Sequence, residues 1–160
     1  EAGIVHRDVK PSNVLVHWPS DTLKLTDFGI AKSADSQVTR TGFVPGTPAY
    51  QAPEQLAGAV PDDRGDLYAL GVMMFELLAG RLPFEAPSMG QLLRQVAQEP
   101  APDLRSLVPS IPEPVARFVA ALLSKNPSER PWPASRVATY LGQLADKSEQ
   151  AARDAGPASP

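Results

Sequence analysis

The chain has 160 residues, 42% of them hydrophobic, and carries 15 Lys and Arg against 18 Asp and Glu, a formal net charge of −3. A single domain of this length buries roughly 68–70% of its unfolded surface, which excludes disorder throughout, and the acidic balance excludes a nucleic-acid module held by a basic face. With no Cys there is no disulfide, thiolate metal site or Cys nucleophile, and the 18 Pro and 11 Gly are enough to punctuate a fold but too few to dissolve it.

Two short β-like runs come first, 14–17 and 23–26, separated by Trp18, Pro19, Ser20, Asp21 and Thr22, and this spacing predicts a hairpin. Residues 30–53 show no sustained period, and so long an unpatterned stretch inside a compact domain marks a functional loop. The run DLYALGVMMFELL at 66–78 is apolar almost all round, the composition of a buried core helix, with Gly80 as its left-handed stop. Tyr68, Gly71 and Glu76 interrupt that run, and it falls short of the roughly 20 residues that span a bilayer. Ser88 is placed to cap a helix reaching 98, with Met89, Leu92, Leu93 and Val96 at spacings of three and four. A further helix starts at the prolines of 112–114 and carries Val115, Phe118, Val119, Leu122 and Leu123, and a last one covers 133–144. Residues 146–160 lose the apolar face and read as a flexible tail or linker. The chain opens on Glu1 without a signal-peptide pattern, and the expectation is a piece of something longer.

The chemistry-bearing residues cluster early. His6, Arg7, Asp8, Lys10 and Asn13 form HRDVKPSN, Asp27, Phe28 and Gly29 follow the second strand as DFG, and Ala52, Pro53 and Glu54 come next as APE. The five fixed positions of the first string alone arise by chance on the order of 10⁻⁵ to 10⁻⁴ times in such a chain. With these motifs in this order the chain resembles a protein kinase. The wording KPSNVLV, LTDFGIAK, GTPAYQAPEQL and DLYALGVMMFELLAGRLPF is similar to bacterial serine/threonine kinases. The resemblance covers residues 1–145 and implies a mainly α fold with a short β-hairpin, the large lobe of a kinase without its small lobe. A glycine-rich loop, a strand Lys and its helix Glu partner would all precede His6, and only five residues do.

Phosphoryl transfer asks a protein for positioning and charge neutralisation around heavily anionic phosphates. An Asp at a strand end and an Asn on a nearby loop are hard oxygen ligands suited to Mg²⁺, which fits Asp27 and Asn13. The resemblance implies that Asp8 accepts or orients the proton of the substrate hydroxyl, that Lys10 stands on the transferred phosphate of ATP, and that Leu15 and Thr26 lie beneath the adenine. It also implies that Thr47 hydrogen-bonds toward Asp8 and Lys10, and that Lys10 and Thr47 together mark Ser/Thr rather than Tyr in protein substrates. Taken singly, Asp8 and Asn13 would be loop turn formers; the joint spacing carries the catalytic reading. His6 is expected as a packed framework residue, and His17 and Trp18 as turn residues. Glu54 and Arg130 resemble the family's ion pair that anchors the activation segment, and Asp66 the residue that hydrogen-bonds the catalytic-loop backbone. Trp132, Phe84 and Phe118 read as core or interface packing. Gln51, where Met is common in the family, and Gly65, where Ser is usual, are departures that touch no chemical group.

Thr39 and Thr41 lie where the family places activating phosphates, and Arg7 beside Asp8 is the cation expected to receive them, with Arg40 and Lys32 adding to the pocket. The expected cofactors are ATP and Mg²⁺, and the expected partners are Ser/Thr-bearing proteins and the missing small lobe. The expected location is the cytoplasm, or the cytoplasmic part of a membrane-anchored kinase. An inert stand-alone lobe that binds partners through its helices is the alternative; a pseudokinase is disfavoured by the intact Asp8, Asn13 and Asp27.

Overall fold

The computed structural model describes residues 4–28 and 48–154. Strand β1 (Val14–His17) pairs antiparallel with β2 (Thr22–Leu25), in the register Val14 to Leu25 and Val16 to Leu23. Directly paired residues share a face. One face is therefore wholly apolar, and Val16, Leu23 and Leu25 on it are exposed. The connection is a 3-10 turn, Trp18–Ser20, closed by Asp21 in the left-handed region at φ 47°. The hairpin sits where the pattern places it, but β2 begins at Thr22 and ends at Leu25. Thr26 lies just past the strand but keeps its register, its N–H donating to the Asn13 carbonyl at 2.8 Å and its hydroxyl to the same oxygen at 3.2 Å.

Residues 48–53 do not continue the unpatterned stretch. A 3-10 turn at Pro48–Tyr50 leads into a four-residue helix, α1 (Pro53–Leu56), with Pro53 at its first position. The Gln55 side chain returns to accept from Ala52 N–H at 2.9 Å. The core helix α2 runs Asp63–Ala79, three residues earlier than its apolar run, because the Asp62 carboxylate caps the N–H groups of Arg64 and Gly65. It ends at Gly80, whose φ of 70° any other residue would adopt only with strain. Helices α3 (Met89–Gln98), capped by Ser88, and α5 (Glu113–Leu122) lie as the periodicity predicts, and a short α4 (Leu104–Leu107), capped by Asp103, was not legible from it.

The core sits between α2 and α5. At Gly71 an added Cβ would stand 2.7 Å from Leu122 Cβ, so the glycine is what lets these two helices approach. Tyr68, Val72 and Phe75 of α2 are fully buried together with Val96 of α3 and Val119 of α5. Each such side chain contributes about 1.5–3 kcal/mol relative to an exposed position. A second cluster, Leu67, Phe118, Leu122 and Val137, seats α6 (Ala134–Asp154). That helix continues ten residues beyond 144, into the stretch expected to be a tail: Ala, Gln, Lys, Glu and Arg keep a helix going without an apolar face. Lys125 ties the C-terminal end of α3 to this core, donating from Nζ to the Val96 carbonyl at 2.6 Å with its ammonium 3.9 Å from the Phe84 ring centre. Burial, reinforced by the Arg130 charge, lowers its pKa to about 8.

Candidate active site

The loop before β1 buries one apolar side chain, Val9, and its backbone is held by one carboxylate from the core helix. Asp66 in the first turn of α2 accepts from His6 N–H at 2.6 Å and from Arg7 N–H at 2.8 Å, one backbone donor on each oxygen. Burial raises the Asp66 pKa above its ordinary value, and the two hydrogen bonds only partly offset this. Arg7 is thereby held in the left-handed region at φ 69°, a conformation costing on the order of 1 kcal/mol for a residue with a Cβ.

His6 is 4% exposed and bridges the two motif segments. Its Nε2 lies 2.9 Å from the Thr26 carbonyl, and its Nδ1 accepts from Asp8 N–H at 3.3 Å. The proton is therefore on Nε2, an assignment that follows from the partners. The ring also packs against Phe28 with centres 4.6 Å apart. The framework role expected for His6 is thus what the geometry shows.

On the far side of that hub, Asp8 Oδ2 takes both Lys10 Nζ and Asn13 Nδ2, each at 3.0 Å. Asn13 Nδ2 also donates to the Asp8 carbonyl at 2.8 Å. Two acceptors on one atom identify it as the amide nitrogen, and the amide oxygen then faces away from Asp8. Asp27, at the end of the segment leading out of β2, has φ 59° and an exposed side chain. Asp8, Lys10 and Asn13 are brought together as the spacing implies, with Asp27 one residue beyond the Thr26–Asn13 link. Leu15 is 58% exposed and Thr26 half-buried. Thr47, Thr39 and Thr41 lie outside the described residues, as do Arg40 and Lys32.

The structural residues are also where the motifs put them. Arg130 has a fully inaccessible side chain and holds Glu54 in a bidentate pair, Nη1 to Oε1 at 2.6 Å and Nη2 to Oε2 at 2.8 Å. Its Nε donates to the Ser124 carbonyl and Nη1 also to the Arg64 carbonyl, so the charge is saturated inside the protein. Phe84 and Phe118 are core as expected, whereas Trp132 is 46% exposed. One tie escaped the sequence reading: Tyr50 donates from its hydroxyl to Glu76 Oε2 at 2.5 Å, pinning the turn before α1 to the core helix. Burial, then that hydrogen bond and the Glu76 charge, raise the Tyr50 pKa and keep the phenol a donor. The available signal was Glu76 itself, a lone acid in an otherwise apolar run.

Comparison with known proteins meets this geometry. The protein kinase domain model matches residues 1–140. The chain belongs to the protein kinase family. The kinase domain is 42% identical over 166 residues to the serine/threonine-protein kinase pkn3 of Myxococcus xanthus, covering 98% of this chain and 30% of that protein. It is 41% identical over 145 residues to the DNA damage-responsive serine/threonine-protein kinase RqkA of Deinococcus radiodurans, covering 89% of this chain and 21% of that one. A probable serine/threonine-protein kinase of Bifidobacterium longum, pknA2, is 37% identical over 147 residues, covering 91% and 19%. The chain thus spans between about a fifth and a third of the length of these relatives. Among the described residues no helix is long and apolar enough to cross a membrane.

Proposed function

We propose that this chain is the large-lobe part of an ATP-dependent serine/threonine protein kinase, residues 1–145 forming its catalytic half and 146–160 leading into a linker. The observation that carries the reading is the Asp8, Lys10 and Asn13 cluster, assembled around one carboxylate oxygen and held to the core through Asp66. The substrate hydroxyl oxygen attacks the γ-phosphorus of ATP, the bond to the ADP oxygen breaks, and the hydroxyl proton passes to the Asp8 carboxylate. Lys10 then neutralises charge on the transferring group.

The residues present fit Mg²⁺. The Asn13 amide oxygen is turned away from Asp8, the Asp27 carboxylate is exposed, and both are hard oxygen donors. Asn13 and Asp27 would hold the metal, which supplies charge neutralisation on the nucleotide phosphates. Leu15 and Thr26 would floor the adenine. The glycine-rich loop and strand Lys would come from polypeptide beyond this chain, whose relatives are three to five times longer. The cytoplasm, where ATP is available, is the compartment this reading requires.

Activation by phosphorylation at Thr39 and Thr41 is part of the proposal. It is supported by Arg7, whose Nε is buried without a hydrogen-bond partner among the described residues. A phosphate brings about −1.5 to −2 charge and bidentate acceptors for such a guanidinium. In the longer kinase, Thr39→Ala with Thr41→Ala should lower transfer after autophosphorylation; an unchanged rate would remove the switch and leave Asp8 in place.

The test of the catalytic reading is transfer of ³²P from γ-labelled ATP to Ser, Thr and Tyr peptides by that longer kinase. Transfer to Ser or Thr, falling by about 10²–10⁴ in Asp8→Asn with Mg·ATP binding retained, is expected. Binding of partners with no transfer to any peptide would favour an inert docking lobe.

A further inference from the structure

A groove of about 750 Å³ opens between α5, α6 and the 3-10 turn Pro127–Glu129, separated from the catalytic loop by the Glu54–Arg130 pair. Phe118 and Val137 form its apolar floor, and Trp132 and Tyr140 stand on its walls, 46% and 38% exposed. The Tyr140 ring packs against Phe118 with centres 4.8 Å apart, and the indole is held by its Nε1 donating to Asp63 Oδ2 at 2.8 Å. Among the described residues three arginines and no Asp or Glu line the groove, Asp63 standing behind Trp132. Arg130 is neutralised by Glu54, but Arg64 and Arg136 have no carboxylate partner among the described residues. Arg64 instead lies over the Trp132 ring, 5.5 Å from its centre.

Arg64 and Arg136 against the single neighbouring carboxylate of Asp63 leave this groove net positive in a chain whose formal charge is −3, which is complementary to an anionic occupant. Fixed Trp and Tyr beside Arg is the composition of an interface centre, and a volume of this size admits a few side chains. We propose that this groove docks an acidic peptide segment carrying an apolar anchor, supplied by the protein substrate at a distance from its phosphoacceptor residue. Its carboxylates meet Arg64 and Arg136, and the anchor enters between Trp132 and Tyr140 onto Phe118 and Val137. The occupant's identity as substrate rests on the kinase reading above; the groove's preference for an acidic peptide does not.

The two are separated by measuring binding and transfer in the longer kinase. The binding probe is a fluorescein-labelled octapeptide of Glu and Asp around a central Leu, followed by anisotropy, with a Lys-for-acid counterpart as control. Saturable binding that weakens with salt is expected, at least tenfold weaker in the Arg64→Gln, Arg136→Gln double variant and partly kept in the corresponding Lys variant. Arg136→Glu, at an exposed position, gives the same loss without disturbing α2. Equal binding of the Lys peptide, unchanged binding in Arg136→Glu, or displacement by inorganic phosphate or anionic vesicles as readily as by unlabelled peptide would overturn the proposal. In transfer assays, appending the octapeptide to a Ser/Thr substrate should lower KM with kcat unchanged, and Arg136→Glu should erase that gain while sparing the substrate without the octapeptide. Equal KM with and without the appended segment refutes docking while leaving the kinase reading intact; no transfer to any substrate refutes the kinase reading while the binding result stands.

Discussion

The two halves of this kinase domain are stabilised by different physics. Between α2, α3 and α5, Tyr68, Val72, Phe75, Val96, Val119 and Leu122 are fully buried, and the interface is close enough that only a glycine fits at position 71. In the hairpin, Leu15, Val16 and Leu23 are 58%, 44% and 68% exposed, and among the described residues the apolar face of the two strands is left largely uncovered. Besides the buried Val9, what orders the hairpin and the loop before it is largely polar: Asp66 on two backbone N–H groups, and His6 joining the Asp8 loop to the Thr26 segment. The proposed catalytic cluster therefore sits where few apolar side chains are buried, and its order is borrowed from the helical core through a few directional contacts. A region held this way can be repositioned without unfolding the rest.

The sharpest way to break the contrast is to attack the polar anchor that lies inside the core. Arg130→Met removes the charge that Glu54 and the Ser124 and Arg64 carbonyls face, and should cost about 3–5 kcal/mol in urea unfolding of the 160-residue chain. A loss under 1 kcal/mol would show that the pair contributes little. Gly71→Ala should follow at about 1–3 kcal/mol, since the new methyl meets Leu122 and forces α2 from α5. Leu23→Ser is the smallest, within about 0.5 kcal/mol in this chain, because the side chain is already in water. A markedly larger cost for the same change in the longer kinase would show that further polypeptide covers the hairpin there.

How much of this was legible in the sequence divides along the same line. The core helix was readable because its apolar run has no polar face, and the Ser88 and Gly80 ends because each residue has a specific job at a helix terminus. The Asp8, Lys10, Asn13 and Asp66 arrangement was readable only through resemblance, since no periodicity signals that Asp66 reaches back 60 residues to the His6 N–H. Helices α1 and α4 were missed because four residues hold barely one turn of pattern. The end of α6 was missed because helix propensity there acts without an apolar face. Trp132, whose residue type points to core or interface packing, is not in the core: it is 46% exposed and held by Asp63. Glu76 carried a signal that pointed to a partner without naming Tyr50.

Asp66 is where the account is most exposed to test. Its pKa is raised in the fold, so on acidification the folded protein takes up this proton at a higher pH than the unfolded chain. That uptake favours the fold: the cost of burying the charge is present above the raised pKa and gone below the ordinary one. The same proton removes an acceptor from a backbone N–H of the catalytic loop. Transfer activity should consequently fall in the acid range before the far-ultraviolet circular dichroism changes. The most direct measurement pairs phosphoryl-transfer rate with urea midpoint in Asp66→Asn of the longer kinase. The amide keeps one acceptor and turns a donor toward the other N–H, while the cost of the buried charge disappears. The account predicts a kcat at least tenfold lower with stability within about 1 kcal/mol of the parent. An unchanged kcat, or a loss of activity that only tracks a loss of folded protein, would contradict the claim that the catalytic loop takes its order from the helical core.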